Sequence, residues 1–229
     1  RGGPILKLPS NVSYRIGASS DPRNKIQRDI FLMKNWAKYD NSSYATIEYS
    51  IIYKPANTIS ISLSPGYSAS YDNLQYVTTI DENTPDANYI MSRLDSKQFS
   101  LSARINVGIT PDMSLQFYGQ PFYFAGDYSK FKTIPDPDAD AYYDRFHEYS
   151  ESEILYNSET SQYQVDTDGN GTDFSFDDPD FHFLQFRSNL VFRWEYKPGS
   201  AFYLVWSQGR TTDGSEGNFM FSDYTTELR

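Results

Sequence analysis

Cysteine is absent from the 229-residue chain, and histidine is nearly so, with His147 and His182 alone. The first absence removes disulfides, thiolate nucleophiles and cysteine-ligated metals. The second leaves little for general acid–base chemistry. No run of about 18 apolar residues exists, so no transmembrane helix is expected. That says nothing against strands, whose alternation hides a lipid-facing side from hydropathy averages. Cations are in the minority, 20 Lys and Arg against 30 Asp and Glu, for a net charge of −10. A general nucleic-acid binder needs a basic face and is disfavoured. Apolar residues reach only 38%, yet aromatics make up 17%, with 20 Tyr and 16 Phe. That balance suits strands and interfacial belts better than helices.

The most informative stretch is residues 182–200. Leu184, Phe186, Ser188, Leu190, Phe192, Trp194 and Tyr196 alternate with Gln185, Arg187, Asn189, Val191, Arg193, Glu195 and Lys197. Side chains of a strand point alternately to opposite faces, so this is one long strand with an oily face and a charged face. Its length matches a tilted bilayer crossing, which takes about 9–11 residues. Comparable alternation runs through Val12–Ser19, Ala45–Lys54, Ile59–Ser64, Phe99–Ile109, Met113–Tyr118 and Phe202–Ser207. Residues 25–38 are blurred by Phe31-Leu32-Met33; a strand is the primary reading there and a short amphipathic helix the competing one.

Connections at 21–24, 54–57, 110–113 and 197–200 are tight and rich in Pro, Gly, Asn and Asp. The intervening ones are longer: a polar stretch 71–89, a segment 125–180 rich in Asp, Tyr, Pro and Ser, and a final loop 209–223. Short turns at one end and long loops at the other characterise outer-membrane barrels. A sandwich would show Greek-key connections of mixed length. The expected fold is therefore all-β, an antiparallel up-and-down transmembrane β-barrel forming one domain over residues 1–229. Both ends look cut, so the eight visible strands are expected to be part of a larger barrel.

The segment Asn189–Ser200, with Arg193-Trp194-Glu195-Tyr196-Lys197-Pro198-Gly199-Ser200 as its most specific part, resembles the C-terminal region of uncharacterised proteins found chiefly in Bacteroidota. Tyr203–Gln208, Arg1–Pro4, Gln116–Phe122, Gly126–Tyr128 and Asp178–Phe181 fit the same family in order. The resemblance implies an N-terminal carbohydrate-binding-like module, absent here, followed by an outer-membrane-type barrel, and a further last strand beyond Arg229. It implies no activity that could be assigned to residues.

Three constellations stand out. Asp166, Asp168, Asn170 and Thr172, with Gly171 at the bend and Asp177 eleven residues after Asp166, have the spacing of a calcium loop. The plainer reading, slightly favoured by the short Asp at the last position and the lack of flanking helices, is a solvated acidic tip. Arg15, Glu48, Arg104, Arg187, Arg193 and Glu195 occupy the polar set of the alternation. They line either a hydrated lumen or a closed interior filled by salt bridges. Trp194, Tyr196 and Trp206 flank the 197–200 turn, as an interfacial aromatic belt requires; with Trp36 they could also stack on sugars. No catalytic residue is assigned: Gly66-Tyr67-Ser68-Ala69-Ser70 lacks the last Gly of a nucleophile elbow and lies inside an alternating strand.

The functional expectation is a non-enzymatic outer-membrane protein with a surface-binding or channel role. Its partner would be the lipid bilayer, and other outer-membrane proteins or glycans beyond that. The rivals are a soluble or surface-attached carbohydrate-active β protein and a structural subunit of an outer-membrane assembly.

Overall fold

The computed structural model describes residues 6–39, 42–81, 87–215 and 217. Eight long strands form one antiparallel meander: β1 (Asn11–Ser19), β2 (Ile26–Ala37), β3 (Ser43–Ala56), β4 (Ile59–Ile80), β5 (Asn88–Thr110), β6 (Met113–Thr133), β11 (Phe181–Lys197) and β12 (Ser200–Gly214). Between β6 and β11 lie a 3-10 turn (Tyr142–Arg145), the short strand β7 (His147–Glu148) and three four-residue strands, β8 (Ile154–Asn157), β9 (Gln162–Val165) and β10 (Phe174–Asp177). β7 pairs with β6, and β8–β10 make a separate three-stranded sheet. The ambiguous stretch 25–38 is a strand: Ile26, Ile30, Leu32 and Trp36 alternate out of phase with Asp29, Phe31 and Met33, and β2 is paired along both sides.

Partners in a ladder share a face, so the register assigns every strand residue to one of two sides. Ile16, Leu32, Ile47, Tyr67, Phe99, Tyr123 and Leu184 form a single transverse row from β1 to β11. Nearer the tight turns, Ile26, Tyr53, Ile61, Ile105, Phe117, Leu190 and Trp206 form another. The alternation read along each strand is thus one continuous apolar face. It is interrupted by Arg28 and Lys34 on β2, by Lys97 on β5, by Ser188 on β11 and, on the edge strand β12, by Gln208 and Arg210.

Three expected loops are corrected. The stretch 71–89 is mostly strand, since β4 continues to Ile80 and β5 starts at Asn88; Pro85 lies outside the described residues. Segment 125–180 begins with β6 running on to Thr133 and contains β7–β10. β12 extends through 209–214 of the predicted final loop. Ladder hydrogen bonding continues where the apolar alternation stops, and hydropathy cannot reveal such strand. Bulges between Asp72 and Gln75, between Tyr76 and Thr78 and between Met91 and Arg93 mark the transition.

The extended tops have a core of their own. Ile90, Phe131, Tyr149, Val165 and Phe176 are buried together, with Val77, Ile80, Tyr128, Ile154, Tyr163 and Phe174 packed around them. The β8–β10 sheet is therefore docked on the β4–β6 tops. The meander itself ends at β1 and β12, which do not pair with each other among the described residues, so no closed ring is formed there.

Candidate functional site: a polar sheet face under a folded acidic cap

The polar face is built row by row from the same register. One row holds Ser19, Asp29, Ser50, Ser64, Ser102, Gln120 and Arg187; the next holds Gly17, Phe31, Glu48, Gly66, Ser100, Phe122 and Gln185. Arg104 lies across from Tyr118, which lies across from Asn189. All six charges expected on this face are on it. Asp29 joins them; the blurred patterning of β2 concealed it.

Their pairing bears on the two readings of the charges. A salt-bridge-filled interior needs its ions buried and matched, because an unmatched buried charge costs several kcal/mol. Among the described residues only Arg193 and Glu195 of this set form an ion pair, with Gly199 N–H donating to Glu195 Oε1 at 3.1 Å. Arg15 has only Met33 Sδ, at 3.3 Å. Arg104 stacks over the Tyr118 ring at 4.9 Å. Asp29, Glu48, Arg104 and Arg187 are exposed and have no ion-pair partner among the described residues. A groove of ≈ 540 Å³ runs beside Asp29 and Glu48, lined on this face by Ser19, Ser50, Ser64 and Ser100. Serines and Gly66 keep it open; a Cβ on Gly66 would come within 3.1 Å of Ser100 Oγ.

The apolar face bears the aromatics. Trp194 pairs across the ladder with Phe202, Leu190 with Trp206, and Trp194 meets Tyr196 edge-on at 6.1 Å. At the other end of the same face, Tyr14 stacks on Trp36 at 5.0 Å. Trp194, Trp206 and Leu204 are 45%, 50% and 60% exposed, and no described strand forms a second layer over them.

Above the sheet sits the cap. Residues 134–180 hold fourteen carboxylates against the single guanidinium of Arg145. That guanidinium is buried and donates to the carbonyls of Ala139 (2.7 Å), Lys7 (2.6 Å) and Asp140 (3.2 Å). Tyr143 OH donates to Tyr39 O at 2.8 Å. The segment after β6 is thereby tied to the start of β1 and to the β2–β3 connection. Glu153 accepts from the Ser150 N–H and hydroxyl (both 2.8 Å) and from His147 (2.7 Å), which together hold its carboxyl down at about 2. Asp180 goes the other way: burial, with Asp178 and Asp127 nearby, pushes it up to about 6, although the Tyr128 N–H donates to it at 2.6 Å.

The candidate calcium loop is only partly assembled as expected. Asp166 and Asp168 converge with Asp173, their carboxylate oxygens within 4.8 Å of one another. Asp177 instead lies in β10 and accepts from Gln162 at 2.9 Å. Asn170 and Thr172 occupy the tip, where Asn170 N–H and side-chain NH2 donate to Asp168. Asp166 accepts from the N–H groups of Gly169 and Gly171, and Asp173 from Thr167. Three hard oxygen donors are present, each already engaged by the loop's own donors.

These features define an eight-stranded antiparallel meander with two chemically opposite faces and a folded acidic cap at one end. The chain belongs to a family of domains of unknown function, DUF5916, whose model matches residues 1–158. The match stops before β11, so the Arg193–Ser200 segment lies beyond it, and Arg1–Pro4 lie outside the described residues. No curated protein and no solved structure matches the chain.

Proposed function

We propose that this protein forms the wall of a transmembrane β-barrel in a bacterial outer membrane, with its apolar face in lipid and its polar face toward water. The role is non-enzymatic: a channel, or a surface binder acting through the cap. The observation that carries this reading is the apolar face, continuous in register over the strands. On β11 it runs from Leu184 to Trp194; ten steps of about 3.4 Å, tilted by about 45°, give a height of about 24 Å. An outer-membrane barrel presents an apolar band of about 25 Å with aromatics at both rims, and here the rims carry Trp194, Tyr196 and Phe202 at one end, with Trp206 four residues further in, and Tyr14 and Trp36 at the other. Two cations of β2 lie within these rims, Arg28 and, beside Trp36, Lys34, and both can snorkel along their neighbours.

The edges add support. β1 and β12 run antiparallel, so a ring closes between them directly or through an even number of further strands. Residues 201–209 of β12 carry neither charge nor proline, whereas an edge left open to water is normally protected by one or the other. A soluble carbohydrate-active fold would instead need a layer over Trp194, Leu204 and Trp206. The test uses full-length protein in vesicles whose acyl chains carry bromine. Trp fluorescence is expected to be strongly quenched, and less so in a Trp194→Phe/Trp206→Phe variant. Absence of quenching rules the lipid contact out.

A further inference from the structure

We propose that the polar face is a charge-segregated wall whose β2–β3 side takes cations and whose β5–β11 side takes anionic groups, an inference that rests on the membrane-spanning reading above. The carboxylates of Asp29 and Glu48 stand on β2 and β3 beside the serine-lined groove. Asp29 pairs across the ladder with Ser50, two residues from Glu48. The two carboxylates are therefore diagonal neighbours, whose backbones lie about 7–8 Å apart. Like charges so placed repel, and no cationic side chain lies between them; the nearest on that part of the face, Arg15, is turned to Met33 Sδ. A mobile cation in the groove relieves that repulsion.

The opposite pole is equally distinct. Arg104 and Arg187 stand on β5 and β11, with Tyr118, Gln120 and Asn189 around them and no carboxylate paired to either. Ser64, Ser100 and Ser102 separate the poles, contributing hydroxyls and no charge. The chain does neutralise charge where it is free to, as Arg193 and Glu195 show. Segregation elsewhere leaves a field running across the sheet from β5–β11 to β2–β3. The cap adds its fourteen carboxylates at the long-loop end, enriching cations where they would enter. Small inorganic cations, or the ammonium end of a dipolar solute, follow the β2–β3 side, while the arginines orient any anionic group to the other.

The test is the reversal potential of full-length protein in a planar bilayer under a potassium chloride gradient. A unit charge about 7 Å from an ion in water changes its local concentration about three-fold. Asp29→Asn/Glu48→Gln should lower the potassium-to-chloride permeability ratio about three-fold or more, and Arg104→Gln/Arg187→Gln should raise it by a similar factor. The charge-preserving Asp29→Glu and Arg187→Lys should leave it unchanged, which separates charge from misfolding. Current that persists with no change of ratio, or with both pairs shifting it the same way, overturns the segregated wall. Inserted, heat-modifiable protein that carries no current overturns the channel reading beneath it.

Discussion

Asp180 makes the cap sensitive to pH in a direction opposite to most carboxylates. Its side chain sits where β6 meets the start of β11, accepting from Tyr128 N–H at 2.6 Å, with Asp178 and Asp127 close by. Burial, then those anions, pushes it up to about 6 from 3.8. The folded state thus holds this proton more tightly than the unfolded chain. Its contribution is fully present below about pH 4 and is lost as pH rises through about 6. Two units correspond to about 3 kcal/mol; because the carboxyl is only half-buried, screening reduces this to about 1 kcal/mol. Native-state hydrogen exchange at the Tyr128 amide and across β8–β10, compared at pH 5 and 7.5, reads it out. Wild type should be better protected at pH 5. Asp180→Asn keeps an oxygen to accept from Tyr128 and removes the charge. It should match the pH 5 wild type at both pH values. Greater wild-type protection at pH 7.5, or a uniformly loosened Asn variant, would refute the reasoning.

Gly126 faces Phe181, and an added Cβ would lie 2.6 Å from its ring and 2.8 Å from Leu94 Cδ1; Gly126→Ala should cost about 1–3 kcal/mol through overpacking, seen as a lowered thermal midpoint. Ser188 is buried on the apolar face with its hydroxyl unpartnered. Ser188→Ala should therefore be neutral or stabilise by up to about 1 kcal/mol in a denaturant titration; a clear loss would mean that the hydroxyl is bonded. Chelation with EDTA should leave exchange protection of β8–β10 unchanged, because Asp166, Asp168 and Asp173 already accept from loop donors. Loss of protection on chelation would assign a structural calcium to that loop.

The sheet was legible wherever one face had to be apolar. Leu184 to Trp194 and Ile59 to Leu63 announce themselves because a half-buried strand must alternate, and the tight turns Asn57-Thr58 and Pro198-Gly199 fall where turn residues cluster. Gly199 takes a left-handed φ of +78°, a conformation only glycine adopts freely. Above the belt that requirement ends. Tyr71 to Ile80 and the first residues of β5, Asn88 and Tyr89, remain strand through backbone pairing, with bulges and mixed polarity, and so read as loop. Strands as short as β8–β10 leave no periodicity to detect; their signal is instead the spacing of Tyr163, Val165, Phe174 and Phe176, which meet only in three dimensions. The same limit explains Asp173. Linear spacing pointed to Asp177, but the β9–β10 hairpin sends Asp177 into a ladder and brings Asp173 back toward Asp166. The charges of the polar face were legible one by one, whereas their segregation into two walls depends on register.

The central claim is that Leu190, Phe192, Trp194 and their row partners meet lipid. It is tested most directly by extracting the full-length protein and comparing its gel mobility before and after boiling. A requirement for detergent together with a heat-dependent shift in mobility is the predicted result. Protein that stays monomeric and folded in detergent-free buffer, with unchanged mobility, would contradict it and place that apolar face against protein instead.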